Sequence, residues 1–205
     1  MHILDKVEAY QRKQVENIIA TSKNAKKRGI VLFGDSHMQY FDEKKYFPDK
    51  NIYNCGLEGA TSDLLFHLRP IAIEPFDPTK VIISIGVNDL NDYWKVDKLE
   101  IAFNVYRLIE ILRRFSPAID VCVISPLPID ETLYKTSLCN NHQLKILGKE
   151  IESNVKEFTG CVYLDIFEDF LKNGNLNDAY SSDGIHLNEE GYAILAEKLK
   201  PFIEY

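Results

Sequence analysis

Four short runs in this sequence carry residue types that core packing does not ask for: Gly34-Asp35-Ser36, Cys55-Gly56-Leu57-Glu58-Gly59, Gly86-Val87-Asn88-Asp89 and Ser181-Ser182-Asp183-Gly184-Ile185-His186. Ester hydrolysis needs a nucleophile, a base to take its proton, a group to orient that base, and donors for a developing oxyanion. Together the four runs hold every part. Ser36 is the candidate nucleophile and His186 the candidate base. Asp183, three residues earlier, is spaced to hold the second ring nitrogen of His186 and fix its tautomer. The backbone N–H groups of Ser36 and Gly59 and the side-chain amide of Asn88 are candidate oxyanion donors, and losing one such donor typically costs about 2.7–4 kcal/mol. An unperturbed imidazole titrates near ~6.5, so the pattern predicts activity at neutral pH that fails in acid.

Each run has a plainer reading on its own. Ser36 at a strand-to-helix turn would serve as a helix N-cap, Asn88 and Asp89 as turn residues, and Asp183-Gly184 as an ordinary turn. Gly56 and Gly59 would be places that need positive φ, and Gly56 is a second candidate for the oxyanion glycine. His37 reads either as a substrate contact or as an exposed residue of the next helix. Tyr93 and Trp94 read as aromatics covering the core, with an acyl pocket as the alternative. His2, His67 and His142 fall on polar or amphipathic stretches and read as surface or interhelical residues.

The catalytic reading depends on elements that bring the runs to one place. Short β-branched apolar segments recur at 30–36, 51–56, 80–89, 120–128 and 161–166, the pattern of strands buried on both faces of a parallel sheet. Amphipathic stretches at 99–115 and 142–158 supply crossover helices. A closing helix follows Asn188, a candidate N-cap, and has acidic residues in its first turn. The stretch around Pro70, Pro75 and Pro78 reads as a loop leading into the third strand. Alternating strands and helices imply right-handed βαβ units in a three-layer α/β/α sandwich, whose site lies beyond the carboxyl ends of the strands. Three of the runs sit at such ends, and the fourth precedes the last helix and can fold back over the same rim.

Composition narrows the partners. The 205 residues carry 45% hydrophobic and 27% charged side chains, enough for one sizeable core, and residues 1–205 are read as one domain with an N-terminal helix, 1–28, packed on it. A net charge of −7 argues against nucleic acid, whose binding needs clustered Lys and Arg. The one basic cluster, Lys23, Lys26, Lys27 and Arg28, reads as the cationic C-terminal end of the first helix. The amino terminus resembles neither a secretory signal nor a membrane span, and the scattered Cys55, Cys122, Cys139 and Cys161 read as reduced structural thiols, so a cytoplasmic location is expected. No pattern specifies an oligomeric state.

The blocks GDSH at 34–37, NCGLEG at 54–59, GVND at 86–89 and DGIH at 183–186 resemble, in order and over nearly the whole chain, the four blocks of the SGNH (GDSL-type) hydrolases. The resemblance implies a flavodoxin-like sandwich on a mostly five-stranded parallel sheet. It also implies a triad of Ser36, His186 and Asp183, an oxyanion hole from Ser36, Gly59 and Asn88, and no metal or organic cofactor. Similar proteins use the later glycine of the second block, which favours Gly59 over Gly56. His37 departs from the small or hydroxyl residue common after the serine, which bears on substrate rather than on the triad. The expected substrate is a small ester, with a short acyl group such as O-acetyl on a sugar, and the resemblance leaves a lysophospholipase- or thioesterase-type acyl hydrolase as the alternative.

Two rivals of other classes remain. A metallophosphoesterase would use the D-x-H spacing of Asp35 and His37, with Asn88 and His186 as further ligands, but the chain has too few other histidines at strand ends. A non-catalytic binding module on the same fold would not require Ser, an oxyanion amide and Asp-x-x-His together.

Overall fold

The computed structural model describes residues 7–204. Five parallel strands form the central sheet: β1 (Ile30–Gly34), β2 (Ile52–Gly56), β3 (Lys80–Ser84), β4 (Asp120–Ile124) and β5 (Cys161–Leu164). Their spatial order is β2-β1-β3-β4-β5. Strand order therefore reverses between β1 and β3, where a crevice opens beyond the carboxyl ends. The register sets Gly34 beside both Gly56 and Ser84, so three of the four chemical runs leave the sheet side by side.

Both faces of the sheet are covered, which explains the continuous apolar strands. Val31, Phe33, Val81, Ile83, Val121 and Val123 pack with α1 (Arg12–Lys23), α4 (Ser62–Ala72), α5 (Lys98–Phe115) and α6 (Asn141–Val155). The alternate residues Ile30, Leu32, Ile82, Cys122 and Ile124 pack with Leu195 and Leu199 of α7 (Glu189–Glu204). Each such fully buried Val, Leu or Ile is worth roughly 1.5–3 kcal/mol relative to exposure. Two short helices, α2 (Ser36–Gln39) and α3 (Glu43–Tyr46), follow β1, and a small antiparallel pair, β6 (Leu171–Lys172) and β7 (Asn175–Leu176), precedes the last loop. Among the described residues no helix is long and apolar enough to cross a membrane.

Several boundaries differ from expectation. The first and third strands stop at Gly34 and Ser84, and the residues beyond them turn out of the sheet to build the crevice. Pro70 lies inside α4 rather than in a loop. Its ring cannot donate to the Phe66 carbonyl one turn back, and the Arg69 guanidinium donates to that carbonyl instead. Pro75 is the middle residue of a single 3₁₀ turn, Glu74–Phe76. The first helix ends at Lys23, so Lys26, Lys27 and Arg28 lie in the connection to β1 and only Lys23 meets the helix terminus. Asn188 does cap α7, with its Oδ1 accepting from the Gly191 N–H at 3.0 Å.

Candidate active site

Ser36 is the first residue of α2 and is not its cap: the preceding Asp35 does that, its Oδ1 accepting from the His37 N–H at 3.0 Å. The Ser36 hydroxyl is thus left for other work. It donates to His186 Nε2 at 3.0 Å across 150 residues of sequence. His186 Nδ1 donates to Asp183 Oδ2 at 2.7 Å. Asp183 can only accept, which puts the ring proton on Nδ1 and leaves Nε2 a lone pair facing Ser36.

The turn carrying these residues is built around Asp183. Its other oxygen, Oδ1, accepts from the backbone N–H groups of Ile185 at 2.9 Å and His186 at 2.8 Å. Gly184, at φ +84°, completes the turn, and the Ser181 hydroxyl accepts from its N–H at 3.0 Å. Partial burial would raise the Asp183 pKa, but these amide donors and the His186 ring outweigh it and pull the carboxyl down to about 2. Asp183 is therefore an anion throughout the range in which the imidazole could act.

Gly59 and Gly56 differ in a way that bears on the oxyanion question. Gly56 ends β2 against α2, where a Cβ would stand 2.2 Å from the Gln39 nitrogen, and its N–H already donates to Asn54 Oδ1 at 3.0 Å. It is a packing glycine. Gly59 adopts φ +70°, a conformation that favours glycine, and lines an open cleft with Gln11, Thr61, Leu64 and Trp94. Among the described residues its N–H has no acceptor. Asn88 is oriented by one amide hydrogen donated to the Ala60 carbonyl at 3.0 Å, which leaves the second for another acceptor. Next to it Asp89, fully buried, accepts from the Ser62 N–H at 2.9 Å and the Ser62 hydroxyl at 2.6 Å, and so fastens the Asn88 loop to the loop after Gly59. Burial raises the Asp89 pKa to about 6 against the pull of those donors.

His37 corrects its expectation on both counts, being neither exposed nor turned toward the cleft. It is 2% exposed, with Nδ1 on Asp35 Oδ1 at 3.2 Å and Nε2 on the Ile185 carbonyl at 2.9 Å. Tyr93 and Trp94 do not cover the core either: they are 77% and 44% exposed, held by Asn91 Oδ1, which accepts from both their backbone N–H groups at 2.9 Å. Trp94 forms one wall of the Gly59 cleft. Of the remaining histidines, His67 is partly exposed near Asp63, His142 is exposed, and His2 lies outside the described residues.

Sequence reasoning missed three further features at this rim. The first is the Asp35–His37–Ile185 connection. The second is the N-terminal segment, where Gln11 Nε2 donates to the Glu58 carbonyl at 2.7 Å. The third is Tyr40, which stands edge-on to His186 with ring centroids 5.6 Å apart. Burial, then the hydrogen bond to Glu58 and its charge, push the Tyr40 phenol up to about 12.

The fold and these distances define a three-layer α/β/α sandwich with a serine at the switch point of its parallel sheet, and residues 32–194 match the GDSL-like lipase/acylhydrolase family. The chain belongs to that family of ester-hydrolysing enzymes. Its relatives include the N-acylneuraminate cytidylyltransferase of Escherichia coli, 26% identical over 97% of this chain and 46% of that protein, so the chain spans about half of that relative's length. A Streptococcus pneumoniae structure named for platelet activating factor superposes with TM-score 0.87 at 23% identity, covering 94% of this chain and 92% of that one. A mutant acetyl-xylooligosaccharide esterase from Geobacillus stearothermophilus superposes with TM-score 0.68 at 17% identity over 87% and 95% of the two chains.

Proposed function

We propose that this chain is a serine esterase that removes a short acyl group, such as O-acetyl, from a hydroxyl of a small polar molecule, with acetylated sugars as the substrate class. The observation that carries this reading is the relay from Ser36 through His186 to Asp183, with hydrogen bonds of 3.0 and 2.7 Å. Ser36 Oγ attacks the ester carbonyl carbon while His186 Nε2 takes its proton, and Asp183 stabilises the imidazolium. The carbonyl oxygen, now negative, is received by the N–H groups of Ser36 and Gly59 and the free amide hydrogen of Asn88. The tetrahedral intermediate collapses, the alcohol leaves with the proton from His186, and an acyl-Ser36 remains. Water, deprotonated by His186, attacks that ester, and the carboxylic acid leaves as Ser36 recovers its proton. No step calls on a metal or organic cofactor.

Residues 1–205 act in this reading as one hydrolase domain, with the N-terminal segment forming part of the rim. Three features support the short acyl group and the polar alcohol. The link from Asn88 to α5 holds no long apolar lid, and the cleft beside Gly59 is lined by Gln11 and Thr61 as well as by Leu64 and Trp94. One structural neighbour is an esterase of acetyl-xylooligosaccharide, and the E. coli relative is named for an acylated sugar acid.

Hydrolysis of p-nitrophenyl acetate by the wild type beside Ser36→Ala, near neutral pH with a chelator present, tests the reading. Activity that survives the chelator and drops by about 10⁴-fold or more in the variant is expected. An inert wild type, towards acetate and longer esters alike, would instead leave a binding module on this fold, and clear preference for long-chain esters would overturn the acetyl assignment.

A further inference from the structure

The acyl-transfer steps make no use of Asp35 and His37, yet this pair lies between the nucleophile and the base. His37 follows Ser36 directly, and its ring reaches the carbonyl of Ile185, the residue before His186, across 148 positions of sequence. The other ring nitrogen faces Asp35 Oδ1. A carboxylate and a carbonyl only accept, and a neutral imidazole has a single N–H. A neutral His37 would therefore set a lone pair against one of these oxygens inside the protein. An imidazolium satisfies both.

We propose that His37 is a buried imidazolium that positions the base, holding the Ile185 carbonyl and hence the adjoining His186 at hydrogen-bond distance from Ser36. It acts through Ile185 and touches no reacting atom, and the inference rests on the esterase reading above. Inside the turn, Asp183 Oδ1 accepts from the Ile185 and His186 N–H groups, and the rest of the chain holds the turn at Gly184 and at its base. The Asp130 N–H donates to the Gly184 carbonyl at 2.8 Å, and Ser181 bridges to Leu187. Toward Ser36, His37 is the group that grips the backbone between those anchors.

The charges around the ring agree with this assignment. Burial opposes protonation of His37, but the Asp35 hydrogen bond and charge, then the Ile185 carbonyl and the Asp183 charge, outweigh it and the pKa is raised. The other titratable groups facing the pair are His186, whose ring centroid is 6.1 Å away, Tyr192 of α7, and Asp89 beyond β3, the last two lying within the field of the Asp35 charge. Asp35 neutralises the His37 charge, so the clamp does not repel the proton that His186 takes up during the reaction.

Nitrogen NMR of ¹⁵N-histidine-labelled wild type reads the clamp directly: both His37 nitrogens are expected to carry protons at pH 7. A neutral His37 ring at that pH overturns the proposal. In kinetics with p-nitrophenyl acetate, His37→Phe, which keeps the ring volume, is expected to lose between ~10- and ~100-fold in kcat with KM within about twofold. His37→Gln, which can still donate to Ile185, is expected to recover part of that loss and to lack the alkaline fall in kcat that the wild type shows as His37 deprotonates. Unchanged kcat in both variants, or an alkaline limb that persists in His37→Gln, overturns it as well. Should the wild type hydrolyse no ester, the esterase reading fails. The NMR protonation state, and amide exchange of Ile185 and His186 that is faster in His37→Phe than in His37→Gln, still decide the clamp, and exchange unchanged in His37→Phe overturns it.

Discussion

Two Asp–His pairs lie within one site, built from the same chemistry and set in opposite surroundings. Asp183 and His186 are 51% and 33% exposed, 2.7 Å apart, with the free face of the imidazole on Ser36. Asp35 and His37 are sealed, 3.2 Å apart, with the far face of the imidazole on a backbone carbonyl. The difference is what each ring meets on its far side. A hydroxyl can give or take a proton and so leaves the ring free to exchange one, whereas a carbonyl can only accept and holds the ring in its charged form. Access to water does the rest, since a base must shed its proton each turnover and a clamp must not.

The sharpest way to break the comparison is to remove each ring in turn. His186→Gln is expected to cost ~10⁴–10⁶-fold in kcat on p-nitrophenyl acetate, far beyond the loss expected at position 37; equal losses would mean that the two pairs do not divide the work. Asp183→Asn, which frees His186 to take the wrong tautomer, is expected to cost about 10⁴-fold, and in the wild type no activity should be lost through protonation of the Asp183 carboxylate until pH falls toward about 2.

A smaller effect separates the pairs by stability. The folded pKa of His37 is raised, so its contribution is fully present below the unfolded value of ~6.5 and is lost as pH rises through the folded value. The folded pKa of Asp183 is depressed, so its contribution is present above ~4 and is lost as pH falls toward about 2. Denaturant unfolding across pH should therefore show His37→Gln flattening the alkaline slope and Asp183→Asn flattening the acid one, the latter weakly because Asp183 is half exposed. The reverse assignment would contradict the sealed and open environments.

Most of the proposed site was legible in the sequence because the ester hydrolysis proposed for it demands residues that packing would not choose. Ser36, Gly59, Asn88, Asp183 and His186 stand out against apolar strands for that reason, and the alternation of elements places three of the four runs at one rim. What could not be read follows from partners distant in sequence. The side of α2 that His37 faces is decided by the Ile185 carbonyl 148 residues later, and nothing local distinguishes it from an exposed histidine. Pro70 reads as a helix breaker until Arg69 is seen to satisfy the carbonyl that the ring abandons. The end of β3 reads too long because Ile85 and Val87 are as apolar and buried as the strand itself, though they lie beyond its last residue, Ser84.

The bonds that join Ser36 to His186 and His37 to Ile185 close loops of 150 and 148 residues, nearly three quarters of the chain. Such closures cannot form until the intervening strands and helices are in place, because their entropic cost is met only by contacts made along the way. The proposed catalytic machinery is accordingly the last part of the molecule to assemble and, sitting on an exposed turn, the first to open. Catalytic competence thus reports completion of the fold, and a chain truncated before residue 181 would have the sheet's five strands and no chemistry.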